Sequence, residues 1–272
     1  MYTNTKPIFI YVFSKLIFDC MEIFLITFLV VTVSALIMEY IDSSLGMGYG
    51  TVLSPFLILM GFEPLLVVPS ILISQAAGGL SASFFHHKFK NVEYKWKSRD
   101  SNIVCIITIS GIMATVIAAI IAISIPKYFL NIYIGILVCV MGIILASNVV
   151  FRFKWSRIIG VGLISAFNKG MSGGGFGPVV TGGQIISGQN HKNAIGCTTM
   201  AEVPICLTGF LIYLAFNGIS NWLFVLALLI GAIIAAPFGA FTTSKLNSIK
   251  FRRLLGLLIT LLGIWTIWKV FS

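Results

Sequence analysis

"GMSGGGFGP", residues 170–178, sets five glycines and a proline into nine positions of a chain that is otherwise apolar. Glycine loses the most backbone freedom on ordering and proline removes a donor, so this stretch interrupts a helix rather than continuing one. Lys169 stands directly before the break. The surroundings make the interruption significant. The chain has 272 residues, 58% of them hydrophobic and 10% charged, with a mean hydropathy of +1.03. A soluble domain carries about 25% charged residues. Apolar runs such as 103–125 and 128–150 reach the ~20 residues that cross a bilayer as helix, whereas barrel strands would be short alternating segments. The fold class that follows is an all-α, polytopic transmembrane protein.

The formal net charge of +10 does not point to nucleic acid, because Lys and Arg collect in the cytoplasmic loops of membrane proteins. Cys20, Cys105, Cys139, Cys197 and Cys206 show no CxxC or Cys/His spacing and read as small packing residues. His86, His87 and His191 fall at the expected ends of spans and read as solvated residues, not metal ligands. No Gly-x4-Gly-Lys-Ser/Thr phosphate loop appears, so neither a cofactor nor a metal is expected. Residues 1–22 are apolar but interrupted by Lys15, Asp19 and Glu22, and they read as an N-terminal extension, not a cleaved signal peptide.

The chain is written twice. Shifted by 127 positions, "GMGYGTVLSPFLILMG" (46–61) falls on "GGGFGPVVTGGQIISG" (173–188). Gly46, Gly48, Gly50 and Gly61 land on Gly173, Gly175, Gly177 and Gly188, Tyr49 on Phe176 and Ser54 on Thr181. Residues 23–151 and 152–272 are thus two transmembrane repeats. Basic residues cluster at 88–99, 152–157 and 245–253. Placing these clusters in the cytoplasm makes the matched helices 64–87 and 192–216 run in opposite directions, which is an inverted-topology repeat.

The segments flanking "GMSGGGFGP", about 158–169 and 176–188, are too short to span. At ~1.5 Å per residue each reaches about halfway through a ~30 Å core. They read as a re-entrant pair of half-helices meeting near the midplane, with "SSLGMGYG" (43–50) as the matching tip of the first repeat, reached either by a half-helix dipping in from the other face or by a full-length first helix at 23–44. Half-helices starting at Gly50–Thr51 and Gly177–Pro178 would aim amide groups and positive dipole ends at a shared cavity suited to an anion. Lys169 and Asp42 occupy equivalent positions before the tips, and Glu202 and Gln75 are repeat mates at similar depth. Charge at that depth needs a partner or a cavity. Lys169 therefore reads as the anion's counter-charge, with Asp42 and Glu202 for coupling or charge balance, or alternatively as one half of a structural ion pair. Gln75, the tip glycines Gly48, Gly50, Gly173, Gly174, Gly175 and Gly177, and the hydroxyls of Thr51, Ser54, Ser70, Ser74, Ser172, Thr181, Thr198 and Thr199 complete the candidate substrate site.

With "LGMGYGTVLSPFLILMGFEP", "HHKFKNVEY" and "SGGGFGPVVTGGQIISGQNHKNAIGCTT" in place, the chain from about residue 23 onward resembles the TauE/SafE sulfite-exporter permeases. The motif positions carried over are Gly46, Gly48, Gly50 and Pro55, then Gly173, Gly174, Gly175 and Gly177. The resemblance implies a cell-membrane transporter for sulfite, an organosulfonate or a related small anion, and the reading taken with it is export; coupling to a proton or ion is open from the buried carboxylates Asp42 and Glu202, which do not name the ion. The residues themselves would suit phosphate or carboxylate equally well, and they say nothing of an oligomer. Two rivals stand beside this reading. One is a passive anion channel. The other is an intramembrane serine protease, because "GMSG" (170–173) matches a Gly-x-Ser-Gly pattern with Ser172 as nucleophile.

Overall fold

The computed structural model describes residues 6–147, 158–186, 189–245 and 249–271. The basic cluster at 152–157 and Gly188 lie outside them. Among the described residues the chain forms ten helices: α1 (Lys6–Leu45), α2 (Tyr49–Leu59), α3 (Pro64–Lys88), α4 (Arg99–Ser124), α5 (Lys127–Ser147), α6 (Ile158–Ser172), α7 (Gly177–Ile186), α8 (His191–Phe216), α9 (Trp222–Thr243) and α10 (Ile249–Phe271). Six of them contain segments long and apolar enough to cross a membrane. Polarity is turned inside out, as a lipid solvent requires. Ile109, Met113 and Ile117 lie exposed on α4 while Asp42, Lys169 and Glu202 are buried. The protein is an all-α, multi-pass membrane protein.

The repeat reappears in three dimensions. Under the shift of 127, the end of α1 at Leu45 matches the end of α6 at Ser172, and the start of α3 at Pro64 matches the start of α8 at His191. Helix partners exchange accordingly. The α1–α9 contact is mirrored by α6–α4, and α3–α9 by α8–α4, while α3–α8 and α5–α10 pair mates with each other. Close approach along α9 uses Ala227, Gly231, Ala235 and Gly239, a small residue at every fourth position that lets helix backbones meet where lipid supplies no hydrophobic drive.

The two halves are inverted. Asn217, after the end of α8, donates to the Leu65 carbonyl at the start of α3. At the other end, Tyr94 beyond α3 donates to Gly196 near the start of α8. The matched helices α3 and α8 therefore run antiparallel. Loop 89–98 shares its side with the end of α9, since Lys192 reaches the Ser244 carbonyl at 2.6 Å and Asn91 the Ala240 carbonyl at 2.8 Å. The side bearing Glu63 and Lys127, ion-paired at 2.6 Å, is the opposite one.

In the second repeat both arms are short: α6 has 15 residues and α7 has 10, about 22 Å and 15 Å of helix. The first repeat follows the full-length alternative. Its outgoing arm α2 is short, with 11 residues, but its entering arm is no half-helix. It is the end of α1, whose segment Met21–Leu45 alone could span. The cause is visible in the sequence of α1, which has no glycine or proline from Ile8 to Leu45 to stop helix propagation. α1 also continues through residue 22 without a break.

Candidate anion site at the helix breaks

Both breaks turn on two glycines at positive φ, closely matched at the first position of each pair and not at the second. Gly46 and Gly48 have φ of 72° and 132°, and their mates Gly173 and Gly175 have 75° and 78°, a region that L side chains rarely adopt. The tips then pack backbone against backbone. A methyl group at Gly50 would run into the Gly173 carbonyl, and one at Gly174 would meet the Gly50 carbonyl carbon at 2.7 Å. Side chains stitch the junction across the repeats. The Gly175 amide donates to Thr51 Oγ1 (3.0 Å), and Thr181 Oγ1 donates to the Gly46 carbonyl (2.8 Å) while lying 2.9 Å from Thr198 Oγ1.

The four polar residues expected at one depth form one continuous string. Asp42 accepts from the Tyr49 amide (3.2 Å) and from Gln75 Nε2 (3.1 Å). The Gln75 carbonyl oxygen accepts from Lys169 Nζ, which also pairs with Glu202 Oε1 at 2.7 Å. Lys169 is 1% exposed. An ammonium carries three hydrogens, and among the described residues Nζ has these two partners, which leaves one donor for a ligand. Neighbouring helices hold the tip of α6 in register: Tyr133 donates to Asn168 Oδ1 (2.6 Å) and Tyr213 to the Gly170 carbonyl (2.9 Å).

The other expected residues divide. Among the described residues Ser54 Oγ is buried without a partner and can turn its hydrogen to an anion. Ser70 and Thr199 direct theirs to Leu66 and Ile195 on their own helices, and Ser74 lies between the Ile71 carbonyl and the Tyr49 hydroxyl. The tip amides are not all open to a ligand. Those of Tyr49, Gly174 and Gly175 are taken by Asp42, Ser172 and Thr51. Gln184, which also donates to Thr198 (2.8 Å), escaped the sequence reading because its mate is Leu57. Glu39 escaped too, although a carboxylate inside an apolar run was signal enough. It is 1% exposed, one turn before Ser43, and its repeat mate is Ala166. His86 corrects its expected solvation: it is fully buried, 3.0 Å from Asn91 Nδ2.

Among the described residues, the hydrogen-bond partners of Ser172 are Asn168 and Gly174. This is a hydroxyl closing a helix end, with no histidine base beside it. Ser172→Ala is expected to cost about 1 kcal/mol, the net worth of a typical hydrogen bond, and to leave a large part of anion flux in proteoliposomes. A protease would lose all activity.

Two antiparallel halves, each broken at a glycine tip, closing on buried charges, define an inverted-repeat membrane protein of the kind that carries solutes. The chain belongs to the sulfite exporter TauE/SafE family, which it matches over residues 31–266. It is 27% identical over 239 residues to the probable membrane transporter protein YtnM of Bacillus subtilis (strain 168), covering 82% of this chain and 76% of that one. No solved structure matches it. The protein is a membrane transporter.

Proposed function

We propose that the protein exports a small sulfur-containing anion, sulfite or an organosulfonate, across the cell membrane by alternating access around Lys169, with loop 88–99 and the end of α9 on the cytoplasmic side. The observation that carries this reading is a fully buried ammonium, with a donor to spare, where the two broken helices meet. A buried charge pair stabilises little on balance, so its position at the junction favours a role in binding. A tetrahedral oxyanion would take the spare Nζ hydrogen and the Ser54 hydroxyl, and by displacing Glu202 it would take a second Nζ hydrogen. Charge-assisted bonds of this kind are about twice as strong as neutral ones. The sulfur class comes from the family.

The test is uptake by purified protein in proteoliposomes, with sulfite, sulfoacetate, taurine, sulfate and phosphate. A carrier gives saturable flux accelerated by substrate on the far side, strongest for sulfite or a sulfonate. Linear flux without counterflow would identify a channel, and preference for phosphate would remove the sulfur assignment.

A further inference from the structure

The buried site has unused hydrogen-bonding capacity of both kinds. On the donor side, Lys169 keeps one Nζ hydrogen, and the Ser54 hydroxyl is buried with no partner among the described residues. On the acceptor side stands Glu39, which is 1% exposed. Its Oε1 accepts from the Ser43 hydroxyl at 2.7 Å, and its Oε2 is buried with no partner among the described residues. A buried polar atom without a partner is uncommon and points to something that fills the place. Glu39 belongs to the same site as Lys169. It lies three residues, about 5 Å of helix, before Asp42 on α1. It also abuts Gly78 on α3, one turn beyond the Gln75 that joins Asp42 to Lys169. Asp42, Glu202 and Lys169 all act on it electrically.

A bare oxyanion uses only the donors, because its oxygens accept hydrogen bonds and give none. It also creates a new deficit. By taking a second Nζ hydrogen it displaces Glu202, and a buried carboxylate separated from its cation is strongly destabilised. The neighbourhood offers Glu202 no substitute. Glu39, Asp42 and Glu202 are all buried, and among the described residues Lys169 is the one buried ammonium beside them. What the cluster lacks, once an oxyanion holds Lys169, is a second cation. Among the described residues no group of His, Cys, Asp and Glu is arranged to hold a metal ion. An ammonium on the substrate itself would bring a positive charge and three donors together.

We propose that the preferred substrate is a zwitterion, a small aminosulfonate whose sulfonate takes Lys169 and Ser54 while its ammonium takes Glu202 and the free oxygen of Glu39. The proposal rests on the carrier reading above and narrows its substrate class. Binding is then an exchange of partners. The Lys169–Glu202 pair opens, each member pairs with the opposite end of the substrate, and the buried site gains no net charge. Glu39 accepts an ammonium hydrogen with a lone pair of Oε2, which a carboxyl oxygen has whether or not the group carries a proton. When the substrate leaves, Lys169 and Glu202 close on each other again, so Glu202 is paired in the empty carrier as well as in the loaded one.

The test measures counterflow by the full chain in proteoliposomes with taurine and with propanesulfonate, which has a methyl group in place of the ammonium. Taurine should half-saturate at a concentration at least about tenfold lower, the factor that one charge-assisted hydrogen bond contributes. Glu202→Gln should bring the two concentrations together. A wild type that takes propanesulfonate as well as taurine or better, with or without sodium, overturns the zwitterion and leaves the carrier intact. Saturable counterflow of sulfite with none of taurine does the same. A Glu202→Gln variant that keeps the full taurine preference overturns the placing of the ammonium. If that variant does not fold, Glu202→Asp decides. With the carboxylate one methylene further back, preference should move from taurine to the longer homotaurine, and an unchanged order overturns the placing. Absence of counterflow with every anion tried sinks the carrier reading and this inference together.

Discussion

Lys169→Met is expected to abolish saturable anion uptake, with affinity falling by roughly a hundredfold or more. Each hydrogen bond from a charged donor contributes about 1.5–3 kcal/mol, and about 1.4 kcal/mol is tenfold in affinity. The same substitution leaves Glu202 buried without its cation. Breaking a buried pair from one side costs about 3–5 kcal/mol, so thermal unfolding in detergent should shift down markedly. These two effects separate in the double variant Lys169→Met with Glu202→Gln. Removing both charges should return most of the lost stability, because no uncompensated ion remains, while uptake stays absent. Recovery of uptake along with stability would show that Lys169 only pairs with Glu202 and never meets the substrate.

Gly50→Ala should have an effect as large, by a different route. The added methyl group collides with the Gly173 carbonyl of the facing tip, and backbone cannot swing aside as a flexible side chain can. Overpacking costs about 1–3 kcal/mol where side chains can adjust, and a backbone neighbour places this variant at or above the upper end. The thermal transition should fall and transport should be lost. Gly174→Ala strikes the same contact from the other repeat and should behave alike. Gly182→Ala is the control: within α7 it has open space around it, and alanine there should be neutral or stabilising by up to about 1 kcal/mol. Wild-type stability and flux in Gly50→Ala would mean that the tips do not touch in the working protein.

Much of this arrangement was legible because helix breakers in apolar sequence are rare and were duplicated. The duplicated glycines point to the positive φ values at both tips, and the repeat positions of Asp42, Gln75, Lys169 and Glu202 point to four side chains that the structure joins in one string. Three features were hidden. The repeat leaves α1 open between a half-helix like α6 and a full span at 23–44, and its continuation back to Lys6 has no mate in the second half to point to it. Glu39 has Ala166 as its repeat mate, so the symmetry that marks Asp42 and Lys169 carries no signal for it. His86 was misplaced because a helix end by sequence position can still be covered by a loop, here the one that brings Asn91 back over it.

The sequence alone determined the solvent, the helical class, the duplication and the location of both breaks. Each of these depends on composition, spacing and backbone preference, which are local properties. Only the tertiary structure decided which tip amides are already occupied, that Lys169 lies between Gln75 and Glu202, and that one oxygen of Glu39 is left without a partner among the described residues. Hydrogen-bond satisfaction in a low-dielectric interior depends on groups drawn from several helices at once, and no stretch of the chain carries that information by itself.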